Sequence, residues 1–181
     1  MLQPLDVPKI ETPRLTLRGW RRDDFDAYAA ILADPDTARY IARGGRPCSR
    51  PQAWAEMSYF IGHWQLLGYG MFAVEERFSG SLVGRVGALQ PEGWPGYELA
   101  WALAPGARGR GYATEAARAA LAWSFETIAI DRILSVIHPE NRASQRVAER
   151  VGEHRTARQF SPFGEPCDVW QVTRADWLRS S

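Results

Sequence analysis

Lysine is almost missing: Lys9 is the only one in 181 residues, and the other basic residues are arginines that form no long run. Charge of one sign is missing too. Lys+Arg number 22 against 21 Asp+Glu, a formal net charge of +1, so the chain lacks the basic excess that nucleic-acid backbone binding requires. Cysteine is scarce, and Cys48 and Cys167 stand far apart in no CxxC or Cys/His spacing, which reads as two unpaired thiols. His63, His138 and His154 make no HExxH or other ligand pattern, so no metal site is expected. No apolar run approaches the roughly 20 residues of a membrane span. The opening MLQPLDVPKIETPRL has prolines and acids where a signal peptide needs an apolar stretch. These absences point to a cytoplasmic protein with neither a membrane nor a nucleic acid as partner.

Core-forming residues are plentiful. Apolar residues make up 45% of the chain and aromatics 12%, which excludes a disordered composition. The length suits one domain. A flexible arm is expected over 1–12, where prolines replace apolar residues, and a single domain over 13–181. Alternation marks a strand at 14–19, with Leu15 and Leu17 on one face. Asp23 or Asp24 caps a helix whose Phe25, Tyr28, Ala29 and Leu32 share a face. Residues 33–48, broken by Pro35, Gly44, Gly45 and Pro47, read as loop. Ser49 and Gln52 form a capping box for a helix with a core stripe at Trp54, Met57, Phe60/Ile61, Trp64 and Leu67. Strands follow at 70–76, 82–89 and 97–103, a helix at about 113–125, a strand at 132–138 and a helix ending at Gly152. Two strands, around 154–160 and 168–173, close the chain. The order β α α β β β α β α β β describes a mixed α/β domain, in which the unit from 97 to 138 crosses between parallel strands.

The segment that carries chemistry is ELAWALAPGARGRGYA, Glu98 to Ala113. A strand ends, a glycine-punctuated loop follows and a helix begins, so unpaired amides at the helix start suit a phosphate or pyrophosphate. A Walker loop is excluded because no GK[ST] exists here. A dinucleotide fingerprint is excluded because Gly109-Arg-Gly111-Tyr-Ala ends on Thr114. The spacing Arg108-x-x-Gly111-x-Ala113 fits instead the Q/R-x-x-G-x-G/A pattern that cradles the pyrophosphate of coenzyme A. At this point the chain resembles the GNAT (GCN5-related N-acetyltransferase) superfamily, and within it the ribosomal-protein N-terminal acetyltransferase branch. ETPRLTLRGWRRDDFDAY is similar to that branch's opening, and HPENRASQRVAERVG to its N-x-x-S segment followed by a helix and glycine. The resemblance spans roughly residues 11–177.

The resemblance implies a mostly antiparallel twisted sheet with a splayed parallel strand pair and flanking helices. It implies acetyl-CoA as cofactor, with the pantetheine arm along Trp101, Ala102 and Leu103. The pyrophosphate then lies on the amides of Arg108, Gly109, Arg110, Gly111, Tyr112 and Ala113, with Thr114 offering a hydroxyl. Asn141 and Ser144 match positions that touch the pantetheine or the thiol end. Asn141 reads equally as a helix N-cap, and Arg110 equally as a solvated arginine.

The chemistry so implied is acetyl transfer to a primary amine. Such an amine, with a pKa of roughly 8 to about 10.4, must lose a proton before it attacks. Glu98 matches the family's strand glutamate and is the expected general base, while the alternative is a strand-opening residue in solvent. The oxyanion would be held by a backbone N–H near Ala102 or Leu103. Two departures stand out: Ala148 where many relatives have a tyrosine acid, with Ser144 or a water as substitute, and Glu153 where an apolar residue is usual. The acceptor, a small-molecule amine or a protein N-terminus, is expected between the 34–48 loop and the turn 161–168. Trp20, Trp94, Phe160 and Phe163 are candidate walls there, and Asp34, Asp36, Glu165 and Asp168 candidate acids. A monomer and a homodimer are both compatible with the pattern. The competing reading is a non-catalytic coenzyme-A-binding sensor of the same fold.

Overall fold

The computed structural model describes residues 6–162 and 164–180. One sheet holds β1 (Ile10–Glu11), β2 (Leu15–Arg18), β3 (Met71–Glu76), β4 (Leu82–Leu89), β5 (Glu98–Leu103), β6 (Arg132–Ile137), β7 (His154–Phe160) and β8 (Cys167–Thr173). Their spatial order is β1-β2-β3-β4-β5-β6-β8-β7, and among the described residues only β5 and β6 pair in parallel. The sheet is flanked by α1 (Phe25–Ala33), α2 (Pro35–Ile41), α3 (Arg50–Leu67), α4 (Tyr112–Thr127), α5 (Arg142–Arg150) and α6 (Arg174–Ser180). The fold class is the expected one: mixed α/β, mostly antiparallel, with one parallel pair.

Alternation along the strands sends apolar side chains to both faces of the sheet. On one face Leu15, Leu17, Val86 and Leu99 pack with Ala116, Ala120 and Leu121 of α4. On the other, Met71 and Leu89 pack with Tyr28 and Leu32 of α1 and Met57 and Phe60 of α3.

Four local expectations change. The segment read as loop contains α2, because Asp34 accepts from the Thr37 N–H at 2.8 Å and Pro35 occupies the first helical turn. In α3 the buried stripe runs through Ala53, Met57, Phe60 and Trp64, leaving Trp54, Ile61 and Leu67 about half exposed, so the apolar pattern was read slightly off the true face. Asp24 makes no cap bond for α1. Its carboxylate instead grips the Arg18 guanidinium with two 2.8 Å bonds. The chain ends in α6, which was not foreseen. Of the arm expected over 1–12, residues 1–5 lie outside the described residues. Ile10–Glu11 pair with β2, and the Thr12 hydroxyl donates to Glu115 at 2.7 Å, so this part is tied to the sheet edge and to α4.

The parallel pair positions the site. β5 and β6 share a single register, Glu98 opposite Leu134, with the Leu134 N–H donating to Tyr97 at 2.8 Å. Beyond it the strands part and side chains replace the ladder. The Ser135 hydroxyl donates to the Leu99 carbonyl at 2.6 Å, and the Val136 N–H donates to a Glu98 carboxyl oxygen at 3.3 Å.

Candidate active site

The glycine loop leaves backbone amides free at the start of α4. Gly109 and Gly111 adopt φ of 75° and 81°, left-handed values that carry little strain only for glycine. Gly111 is the N-cap of α4 and offers no side chain, so the amides of Tyr112, Ala113 and Thr114 begin the helix without intrahelical acceptors. A cavity of about 570 Å³ opens in front of them. It is bordered by Ala102, Leu103, Arg108, Gly109, Ala113 and Thr114, and reaches Asn141 and Ser144 on α5. The unpaired amides, the dipole of α4 and the free edge of β5 fit a pyrophosphate with an extended arm.

Three side chains around the cradle are already engaged. Arg108 bonds Asp34 and the Thr37 hydroxyl, pinning the loop to the N-terminus of α2. Arg110 pairs with Glu76 at 2.9 Å and lies over the Tyr112 ring while half exposed at the surface. The Tyr112 hydroxyl donates to Glu76 at 2.5 Å.

A second cavity, of about 280 Å³, meets the first where both are lined by Tyr40, Ile41, Trp101, Asn141 and Ser144. Glu98 forms part of its wall and is 9% exposed, so the strand-opening residue is not in solvent. Burial pushes its carboxyl up to about 7, against the pull of the Trp94 indole N–H at 2.6 Å, the Val136 amide and the Arg85 charge. A carboxyl so poised can take a proton near neutral pH.

Behind Glu98 lies a second buried carboxyl. Glu153 Oε1 is 2.9 Å from the Ser135 hydroxyl oxygen, which is also bonded to Leu99, while Glu153 Oε2 has no partner among the described residues. Ser135 has one proton for two acceptors, so both bonds form only when Glu153 is protonated and donates. Burial favours that state, raising Glu153 to about 8, with the charge of Glu98 acting in the same direction. Glu153, standing where an apolar residue is usual, is thus bonded through Ser135 to the point where the strands part.

The family model for the Acetyltransferase (GNAT) domain matches residues 14–154. The chain belongs to the GNAT acetyltransferase family. An acetyltransferase of Agrobacterium tumefaciens, known as a crystal structure, is 32% identical with a TM-score of 0.83, covering 94% of this chain and 96% of that one. The Bacillus subtilis protein YkkB is 30% identical over 168 residues, 90% of this chain and 94% of that protein. The spermidine N-acetyltransferase of Vibrio cholerae, solved with CoA and spermine, has a TM-score of 0.75 over 92% of this chain and 99% of its own. At 19% identity that likeness is one of fold.

In this GNAT domain the residues expected to hold the cofactor line one cavity, except Arg110, whose side chain is turned to Glu76; Arg108 lines it while bonded to α2. Asn141 caps α5, accepting from the Ser144 N–H at 3.1 Å, and lies at the neck between the cavities at the same time. Ser144 is at that neck too. Ala148 is fully buried against Ile137 and Trp170 and borders neither cavity. Among the candidate acceptor residues, Trp94 lines the Glu98 cavity, whereas Phe160 packs behind it with ring centroids 5.0 Å apart. Trp20 does not reach the cavity, because its indole is bonded to Met71 and packed on Phe60. Phe163 lies outside the described residues. The candidate acids do not gather there either: Asp34 holds Arg108, Asp36 and Glu165 are exposed, and Asp168 is buried on Arg155 at 2.8 Å. Sequence reasoning missed Arg85, Glu56 and Tyr59 on the cavity wall. A single arginine inside the apolar strand LVGRVGAL was the available signal.

Proposed function

We propose that this acetyltransferase moves an acetyl group from acetyl-CoA to a primary amine by direct attack within a ternary complex. The observation that carries the reading is the meeting of two cavities at Trp101, Asn141 and Ser144, one faced by the α4 amides and the other by Glu98. Bound acetyl-CoA would supply a thioester as the acyl donor. The amides of residues 109–114 hold its pyrophosphate, that of Arg108 being taken by the Pro105 carbonyl at 3.2 Å, and β5 from Trp101 to Leu103 lines its arm. Glu98 accepts the proton of the incoming ammonium, and Trp94 keeps the carboxyl oriented. As the nitrogen–carbon bond forms and the carbon–sulfur bond breaks, the Leu103 N–H, on the open side of β5 where that of Ala102 faces β4, would steady the oxyanion, and Ser144 would relay the proton still carried by the nitrogen to the departing sulfur.

Ala148, lacking an acid and facing away from both cavities, favours the sensor reading, while the poised Glu98 favours catalysis. Titration calorimetry with acetyl-CoA, followed by thiol release over an amine panel, separates them. An enzyme binds acetyl-CoA and turns over at least one amine. Binding without turnover of any amine makes the chain a sensor, and absence of binding removes both readings.

A further inference from the structure

We propose that the acceptor carries a carboxylate beside its amine, an amino-acid-like zwitterion, and that Arg85 holds the carboxylate. The inference rests on the acetyltransferase reading and narrows its substrate class.

Arg85 is 7% exposed, lies on the wall of the Glu98 cavity, and has an Nε that is buried with no hydrogen-bond partner among the described residues. The opposing charge is Glu56 of α3, whose carboxyl oxygen is 3.5 Å from a terminal nitrogen of Arg85 and already accepts from the Tyr28 hydroxyl. Phe60 covers the guanidinium at 5.1 Å from its ring centroid. A guanidinium has five donors in a planar fork that matches a carboxylate, and burying it with the Nε donor unmatched and one carboxylate at 3.5 Å costs free energy that an incoming anion offsets.

The strand register puts the cation where such an anion would be useful. Arg85 stands opposite Ala102 and Leu89 opposite Glu98, so Arg85 and Glu98 share one face of the sheet, with backbones roughly 13 Å apart. Between them on that face are Gly87 and Ala100, which add no bulk. The two long side chains therefore enter one cavity from opposite ends. A zwitterion laid between them sets its ammonium at the base and its carboxylate at the guanidinium. Tyr40, Tyr59, Trp94 and Leu89 complete the wall and would meet the remainder of the molecule. A polyamine in the same place would set a second cation against Arg85.

Thiol release from acetyl-CoA is measured with the standard amino acids, with the amide and the decarboxylated amine of each, and with spermidine. Turnover is expected for carboxylate-bearing amines, with kcat/KM at least about 30-fold above the matching amide. Arg85→Gln is expected to bring that ratio toward one by raising KM for the carboxylate form, with acetyl-CoA affinity unchanged by calorimetry. Amides or spermidine reacting as well as amino acids, an unchanged ratio in Arg85→Gln, or no response to any amino acid overturns the carboxylate assignment and leaves the acetyltransferase reading to the broader amine panel. Failure of the wild-type chain to bind acetyl-CoA overturns both. If Arg85→Gln fails to fold, seen as lost acetyl-CoA binding, the wild-type ratio decides alone.

Discussion

Glu98 differs from an ordinary strand carboxylate in where its oxygens lie. One accepts from the Trp94 indole at 2.6 Å and the other from the Val136 amide at 3.3 Å, while burial holds the pKa at about 7. Glu98→Gln keeps the shape and loses the proton acceptor. The expected result is a fall in kcat of roughly 10²–10⁴-fold with acetyl-CoA affinity unchanged, read by thiol release and calorimetry. Unaltered turnover would remove Glu98 as base. If Glu98 is the base, as proposed, it acts without its proton, so kcat/KM is expected to rise with pH through about 7. A profile flat across that range would contradict the assignment.

At the scale of elements, the glycine loop stands between two helix starts that are capped in opposite ways. α2 has a complete cap, since Asp34 accepts from the N–H and hydroxyl of Thr37, and that carboxylate also receives Arg108 from the loop. Asp34→Ala removes the cap and the clamp together. The expected loss of stability is about 1 kcal/mol, read from the urea midpoint at unchanged slope. α4 starts on Gly111, leaving its amides for a ligand. Gly111→Asp forces a side chain into a left-handed position 3.3 Å from an Arg14 nitrogen and sets a negative charge before the amides. Its acetyl-CoA Kd is expected to rise by at least about tenfold, the equivalent of about 1.4 kcal/mol. Equal affinity in the variant would show that the cradle is not used.

For the molecule as a whole, the two buried carboxyls make stability depend on pH in an uncommon direction. Glu98 and Glu153 stay protonated in the fold up to about 7 and about 8, against an ordinary value of 4.5. Between those limits the folded state binds more protons than the unfolded one, so the contribution of these groups is complete below about 4.5 and falls as pH rises through 7 and 8. Glu153→Gln keeps a donor toward Ser135 at every pH. Its Tm is expected to decline less than the wild-type Tm between about pH 5 and about pH 9 in a thermal-melt series. Parallel declines would place the proton elsewhere.

Local chemistry made much of this protein legible before any tertiary contact was known. Strand alternation, the capping box at Ser49 and the helix after Gly111 depend on neighbours a few residues apart, and so does the amide cradle. The Asp34-Pro35 pair also announced α2, although Gly44, Gly45 and Pro47 masked it. The sequence by itself therefore determined the main strands and helices, the glycine loop and the strand carrying Glu98. Only the tertiary structure decided what surrounds Glu98. Arg85, Ser135 and Glu56 come from β4, β6 and α3 and Glu153 from the turn before β7, and strand register, helix docking and burial bring them together. Their protonation and unmatched donors follow from the exclusion of water, which no spacing along the chain encodes.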